Sequence, residues 1–196
     1  MGGADFLDLL VRLIGAEEAA RCARKFGPPD EEFYEGINNA EAIAFYVYST
    51  ANGWHSYINA QLWSRKPHPD VVAFAAVLDS GIHKLPRYTT GGGTVYRGYH
   101  ASDLGKFSKH YVLDEIVAFP AFTSASFKEA GAFGGNVLFI IRALSARAIW
   151  FLSPNFQEEE ALLPTNCSFV VVDKGMQQGR LVVILQETEE VANAER

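Results

Sequence analysis

The stretch Gly91-Gly92-Gly93-Thr94-Val95-Tyr96-Arg97-Gly98 is where the chain changes character. Three consecutive glycines break any helix, and the Thr-Val-Tyr that follows has the β-branched and aromatic composition of a strand. Downstream the same composition returns in strand-length runs at 137–142, 148–152, 168–172 and 181–185, with Gln177-Gln178-Gly179 as a turn between the last two. These runs are nearly continuous rather than alternating, which predicts strands covered on both faces. The segment 112–122 is mixed and reads as strand at its end. Upstream the periodicity is helical: Phe6, Leu9, Leu10, Leu13 and Ile14 recur at spacings of three and four. Pro28 and Pro29 stop whatever follows Arg24-Lys25. Asn38 and Glu41 have the spacing of a capping box ahead of a helix over 40–50. After Gly53 a second helix covers about 55–65. Lys66-Pro67-His68-Pro69 reads as a breaker, and Asp70 as the cap of a third helix over 71–78 that ends near Gly81. Helices first and strands afterwards is an α+β order. Neither half is large enough to bury its own face, so the expectation is one domain over 1–196, helical to about 85 and β from about 86 to 190.

Composition removes several functions. A formal charge of −6 and a pI near 5.4 argue against a nucleic-acid surface, and the 17 basic residues are scattered. No run approaches eighteen apolar residues, so no segment spans a membrane, and the N-terminus has no signal pattern. Two cysteines, Cys22 and Cys167, make neither a disulfide framework nor a metal site, and read as idle thiols of a reducing compartment. His55, His68, His83, His100 and His110 lack metal-ligand spacing. The triple glycine precedes a strand instead of opening a helix, so it is not a dinucleotide-binding fingerprint.

Three short segments sit where strands meet loops: Tyr96-Arg97-Gly98, Phe122-Thr123-Ser124-Ala125-Ser126, and Glu158-Glu159-Glu160-Ala161-Leu162-Leu163-Pro164. Each alone is ordinary, since an arginine on a strand, a Ser-Ala-Ser turn or an acidic triplet is usually surface. Their order and spacing are not: Ser124 follows Arg97 by 27 residues and Glu160 follows Ser124 by 36. Together they resemble the three motifs of the arginine–serine–glutamate (R-S-E) branch of mono-ADP-ribosyltransferases, of bacterial toxin and effector type. Tyr57-Ile58-Asn59 and Leu85-Pro86-Arg87-Tyr88 extend the likeness upstream, so that it covers roughly 40–187.

The resemblance implies an ADP-ribosyltransferase fold, with N-terminal helices packed beside a core of two β-sheets and an NAD-binding cleft. It implies NAD as co-substrate, no metal, and a protein acceptor whose side chain receives ADP-ribose as nicotinamide leaves. Residue by residue, Arg97 would pair with the NAD phosphates, a task for a planar and permanently charged fork. The Gly98 backbone would meet the nicotinamide amide, Ser124 would hold Glu160, Phe133 would pack on nicotinamide, and Asn59 would contact NAD. Glu160 would stabilise the oxocarbenium-like ribose through its 2′-hydroxyl, as carboxylates do at glycosidic centres. Glu158, two residues earlier, points the same way if the segment is extended, and would orient the acceptor and take its proton. Glu159 would point away and matter little. Phe156 and Glu158 would recognise the acceptor. Glu-x-Glu accompanies arginine modification in this family, so arginine is the first acceptor, with threonine or serine as the other choice. The setting it implies is a monomeric protein secreted by a bacterium and acting in host cytoplasm.

Three departures bear on this. Ala125 stands where the family's serine-threonine-serine has its middle hydroxyl. Phe156 lies one residue nearer to Glu158 than is usual. Trp63 occupies a helix position where many toxin relatives have an NAD-binding arginine. Two other functions fit the same residues: an NAD glycohydrolase that passes the oxocarbenium to water, and an inactive protein-binding module on the same fold. A sugar hydrolase does not fit, because Glu158 and Glu160 are too close in sequence to flank a ring.

Overall fold

The polar pair Asn38 and Glu41 organises the helical part. In the computed structural model, which describes residues 2–50, 52–132, 134–152 and 159–189, they cap the helix α3 reciprocally. Asn38 Oδ1 accepts from the Glu41 amide at 2.9 Å, and Glu41 Oε2 accepts from the Asn38 amide at 3.0 Å. The elements of this unit are α1 (Gly3–Ile14), α2 (Ala16–Phe26), the hairpin β1 (Glu32–Tyr34) and β2 (Ile37–Asn38), α3 (Asn39–Ser49), α4 (Trp54–Leu62) and α5 (Pro69–Lys84). Phe151 and Leu152 belong to it as well. Helix α3 is buried on every side from Asn39 to Tyr48, so it is the central helix rather than an amphipathic one. The Glu41 carboxylate is buried with it, and further donors, Ser80 Oγ at 2.7 Å and Lys84 Nζ at 2.8 Å, complete its shell.

Helix α5 departs from the sequence expectation at both ends. It begins at Pro69, because a proline at the first helical position loses no hydrogen bond. His68 is the cap, its Nδ1 accepting from the Asp70 amide, while Asp70 pairs with Arg12 of α1 at 2.9 Å. It runs through Gly81 to Lys84 because α3 packs there: a Cβ on Gly81 would come within 2.8 Å of the Phe45 ring. The glycine is a crossing point, not a stop. The sequence reading passed over α2 and the β1–β2 hairpin.

The second unit begins at Pro86. It contains β3 (Thr94–Tyr99), α6 (Leu104–Ser108), β4 (Ile116–Phe119), β5 (Thr123–Ser126), β6 (Val137–Arg142), β7 (Arg147–Ala148), β8 (Glu160–Leu163), β9 (Cys167–Gln177) and β10 (Arg180–Thr188). The strand order is β4-β9-β10-β6-β3-β5-β8-β7. Pairings are antiparallel except β6 with β10. Between β3 and β5 the register is a single pair, Tyr96 with Ser126. The β core is therefore one eight-stranded sheet, narrowed to a single rung at that pair, where the resemblance implied two separate sheets. Val95, Phe139, Ile141, Phe169, Val183 and Leu185 are among its buried core residues.

The run at 148–152 is not a strand throughout. Only Ala148 lies in the ladder; Ile149 donates its amide to the Glu160 carbonyl at 3.0 Å, and the chain then turns away. Glu159, the next residue that could have paired, is left-handed, with φ of 44°, so the ladder stops. By contrast β9 and β10 extend well beyond the apolar runs at 168–172 and 181–185, into a polar ribbon around the turn at Gln178 and Gly179. Cys22 and Cys167 are each buried thiols of their own unit.

The triple glycine is a left-handed turn, with φ of 62°, 70° and 73° at Gly91, Gly92 and Gly93. It sets β3 beside β6: the Ala143 amide donates to the Gly93 carbonyl at 3.0 Å, and a Cβ on Gly93 would fall on the Ala143 carbonyl oxygen. Nothing lies near the corresponding position of Gly91. We therefore expect Gly91→Ala to cost about 1 kcal/mol, the ordinary strain of a left-handed alanine. Gly93→Ala should cost about 3 kcal/mol, because overpacking against backbone is added. Urea unfolding midpoints of the two variants check the difference.

Candidate active site

The site lies where β3 and β5 part. Beyond the Tyr96–Ser126 pair the two strands share no further register, and Arg97, the next residue on β3, crosses between them. Its Nη1 donates to the Ser124 carbonyl of β5 at 2.6 Å. On the other side of β5, Ser124 pairs with Leu162 and Ser126 with Glu160 of β8. Ser124 and Glu160 are thus diagonal neighbours on one face, within reach of each other. The Ser124 hydroxyl donates to Glu160 Oε1 at 2.7 Å. Glu160 is 7% exposed, and its own carbonyl takes the Ile149 amide. Strands on both sides and a hydroxyl on the carboxylate therefore fix it.

Arg97, Ser124 and Glu160 form one chain of contacts from guanidinium to carboxylate across three strands. Arg97 is half-buried, and among the described residues its guanidinium has no partner beyond Ser124. Its remaining N–H groups are a planar set of donors suited to an anion with two oxygens. Gly98 follows, paired with Leu138 of β6.

Two features hold the chain around Arg97. Asn136 clamps the segment after β3, its Oδ1 accepting from the Ala101 amide and its Nδ2 donating to the Ala101 carbonyl, both at 2.8 Å. Beneath β3, Phe139 is the register partner of Arg97, and its ring lies 5.3 Å from that of Tyr111. Burial pushes the Tyr111 phenol up to about 12; nearby Tyr99 raises it further and Arg97 opposes.

The other sequence candidates fare differently. Asn59 belongs to the helical unit and turns inward, Nδ2 donating to the Tyr48 hydroxyl at 2.9 Å. Phe133, Phe156 and Glu158 lie outside the described residues. Glu159 carries a correction. Placing Glu158 with Glu160 by the pleat required an extended residue between them, and Glu159 is left-handed. Its carboxylate pairs with Lys128 Nζ at 2.6 Å. Sequence reasoning missed Asn136 and Lys128. Gly134-Gly135-Asn136 ahead of an apolar run was a usable signal for the first; nothing in the sequence marked the second.

Fold and site together define an ADP-ribosyltransferase architecture. The structure superposes on the ADP-ribosyltransferase HopU1 of Pseudomonas syringae pv. tomato DC3000 with a TM-score of 0.75, at 20% identity, covering 94% of this chain and 96% of that one. It also superposes on the type III effector XopAI of Xanthomonas axonopodis pv. citri with a TM-score of 0.76, at 20% identity over 93% and 85% of the two chains. Residues 16–193 match the family model described as NAD:arginine ADP-ribosyltransferase, and the chain belongs to that family. A relative by sequence is the NAD(+)–protein-arginine ADP-ribosyltransferase Tre1 of Serratia proteamaculans (strain 568), 30% identical over 145 residues. That match takes in 74% of this chain and spans 31% of the relative.

The Tyr111 shift gives a pH dependence with a definite sign. The folded state holds the phenolic proton more tightly than the unfolded chain, whose phenol titrates near 10. The stability it contributes is complete below pH 10 and is lost as pH rises from 10 to about 12. An ultraviolet absorbance titration should show a late-forming phenolate that is lost in Tyr111→Phe, and the decline in stability over this window should be shallower in that variant.

Proposed function

We propose that this chain is an NAD-dependent protein mono-ADP-ribosyltransferase that modifies arginine. The observation that supports it most is the continuous chain Arg97–Ser124–Glu160 across β3, β5 and β8. The guanidinium left with donors to spare suits the NAD pyrophosphate, with the Gly98 backbone and the ring of Phe133 receiving nicotinamide. Glu160, held by Ser124, accepts a hydrogen bond from the ribose 2′-hydroxyl and stabilises the positive charge as it develops. The bond from C1′ to nicotinamide breaks, nicotinamide leaves with the electron pair, and a guanidinium nitrogen of the acceptor attacks C1′. Glu158 takes the proton the acceptor loses, and with Phe156 receives its side chain. Glu-x-Glu and the name of the Serratia relative favour arginine over threonine or serine. Asn59 donates through Nδ2 to Tyr48, and its Oδ1 is the atom that would contact NAD.

We take the two units as halves of one catalytic domain over 1–196, acting as a monomer on a protein substrate without nucleic acid or membrane. We take the setting to be a bacterial effector, secreted and acting in host cytoplasm; the likeness to a structure described as a type III effector supports the effector part of that reading.

Glu160→Gln should lower both nicotinamide release and ADP-ribose transfer by at least about a hundredfold without loss of folding, because the charge that meets the oxocarbenium is removed. Retained transfer in that variant would overturn the mechanism. Glu158→Gln should lose transfer yet keep nicotinamide release, measured side by side by chromatography and intact mass spectrometry. Equal loss of both would remove the acceptor role from Glu158.

A further inference from the structure

Lys128 lies just past the end of β5, and Glu159 just before the start of β8. Their side chains form an ion pair at 2.6 Å, with the lysine 69% and the glutamate 44% exposed. The backbones are tied as well, the Phe127 amide donating to the Glu159 carbonyl at 3.2 Å. Lys128 is itself steadied, its amide donating to Ser126 Oγ at 3.2 Å. Glu159 holds φ at 44°, a conformation that costs a non-glycine residue about 1–2 kcal/mol and persists only where neighbours enforce it.

We propose that Lys128 and Glu159 form a positioning clasp that sets how the chain approaches Glu160, and so governs ADP-ribose transfer to the acceptor but not NAD cleavage. The proposal rests on the function given above. Glu160 does not need the clasp: β5 and β7 flank β8, Ile149 bonds its carbonyl and Ser124 its carboxylate. At Glu159, among the described residues, the Phe127 amide and the Lys128 ammonium supply the hydrogen bonds. Loss of the ion pair therefore acts on the side of the carboxylate from which Glu158 comes, and leaves the glycosidic step alone.

The test compares Lys128→Ala, Glu159→Gly and the exchanged pair Lys128→Glu with Glu159→Lys. Glycine is at home at this φ, so Glu159→Gly removes the carboxylate without a backbone penalty. Nicotinamide release with water alone and ADP-ribose transfer to agmatine, a small guanidinium acceptor, are measured on the whole chain. Both single variants should lower transfer about fivefold, near the most an exposed ion pair is worth, with nicotinamide release within twofold of wild type. The exchanged pair should recover transfer. Unchanged transfer, or transfer and release falling together, overturns the proposal. Hydrogen exchange reads the clasp independently of activity: the Phe127 amide should exchange about fivefold faster in Lys128→Ala, and unchanged exchange also overturns it. A wild-type chain that releases no nicotinamide would instead count against the function, with the exchange result still deciding the clasp.

Discussion

An antiparallel pair that ends after one residue leaves backbone groups facing a gap, and buried backbone groups must find partners. Strands β3 and β5 pair only at Tyr96 and Ser126, and the Ser124 carbonyl beyond that point takes its hydrogen bond from the Arg97 guanidinium. The side chain thus does the work of a missing rung of the ladder. Only one of its nitrogens is needed for this, so the same group that closes the sheet still presents charge and donors. A lysine could bridge the strands but has no second planar edge to offer.

From that bridge the site is built on regular structure. Ser124 has its carbonyl on Arg97 and its hydroxyl on Glu160, so one residue of β5 couples a cation and an anion on either side of it. Glu160 opens its strand, paired with Ser126 of β5 on one flank and bonded through its carbonyl to the Ile149 amide on the other, whereas the residue before it is left-handed and half exposed. Under the proposed mechanism, a carboxylate that meets a developing charge gains from being held still, since no reorganisation is then needed at that moment.

Much of this was legible in residues. Asn38 and Glu41 announced α3 because a capping box is a local device, complete within four positions. Arg97, Ser124 and Glu160 were found through a resemblance in order and spacing, and they converge. What failed were features decided by partners far along the chain. Gly81 looked like a helix end and is a crossing point chosen by Phe45; Pro69 looked like a breaker and is a first helical residue. The placing of Glu158 beside Glu160 held only for an extended segment, and Glu159 is left-handed, bonded to Phe127 and Lys128. Asn136 escaped notice since its value lies wholly in meeting Ala101, 35 positions away.

The place of β10 in the sheet has a consequence for how the molecule comes into being. It is the final strand of the described chain, yet it lies in the interior of the order, antiparallel to β9 and parallel to β6. While the chain is being synthesised, β6 has β3 on one side and an open edge on the other, and β9 with β4 has nowhere to dock. Both halves wait for Arg180–Thr188 to emerge and slide between them. Nucleation from the N-terminus can build the helices early, but the sheet that carries the candidate site closes late and over long separations, which makes for slow folding and exposed edges. The final strand of the described residues is the keystone.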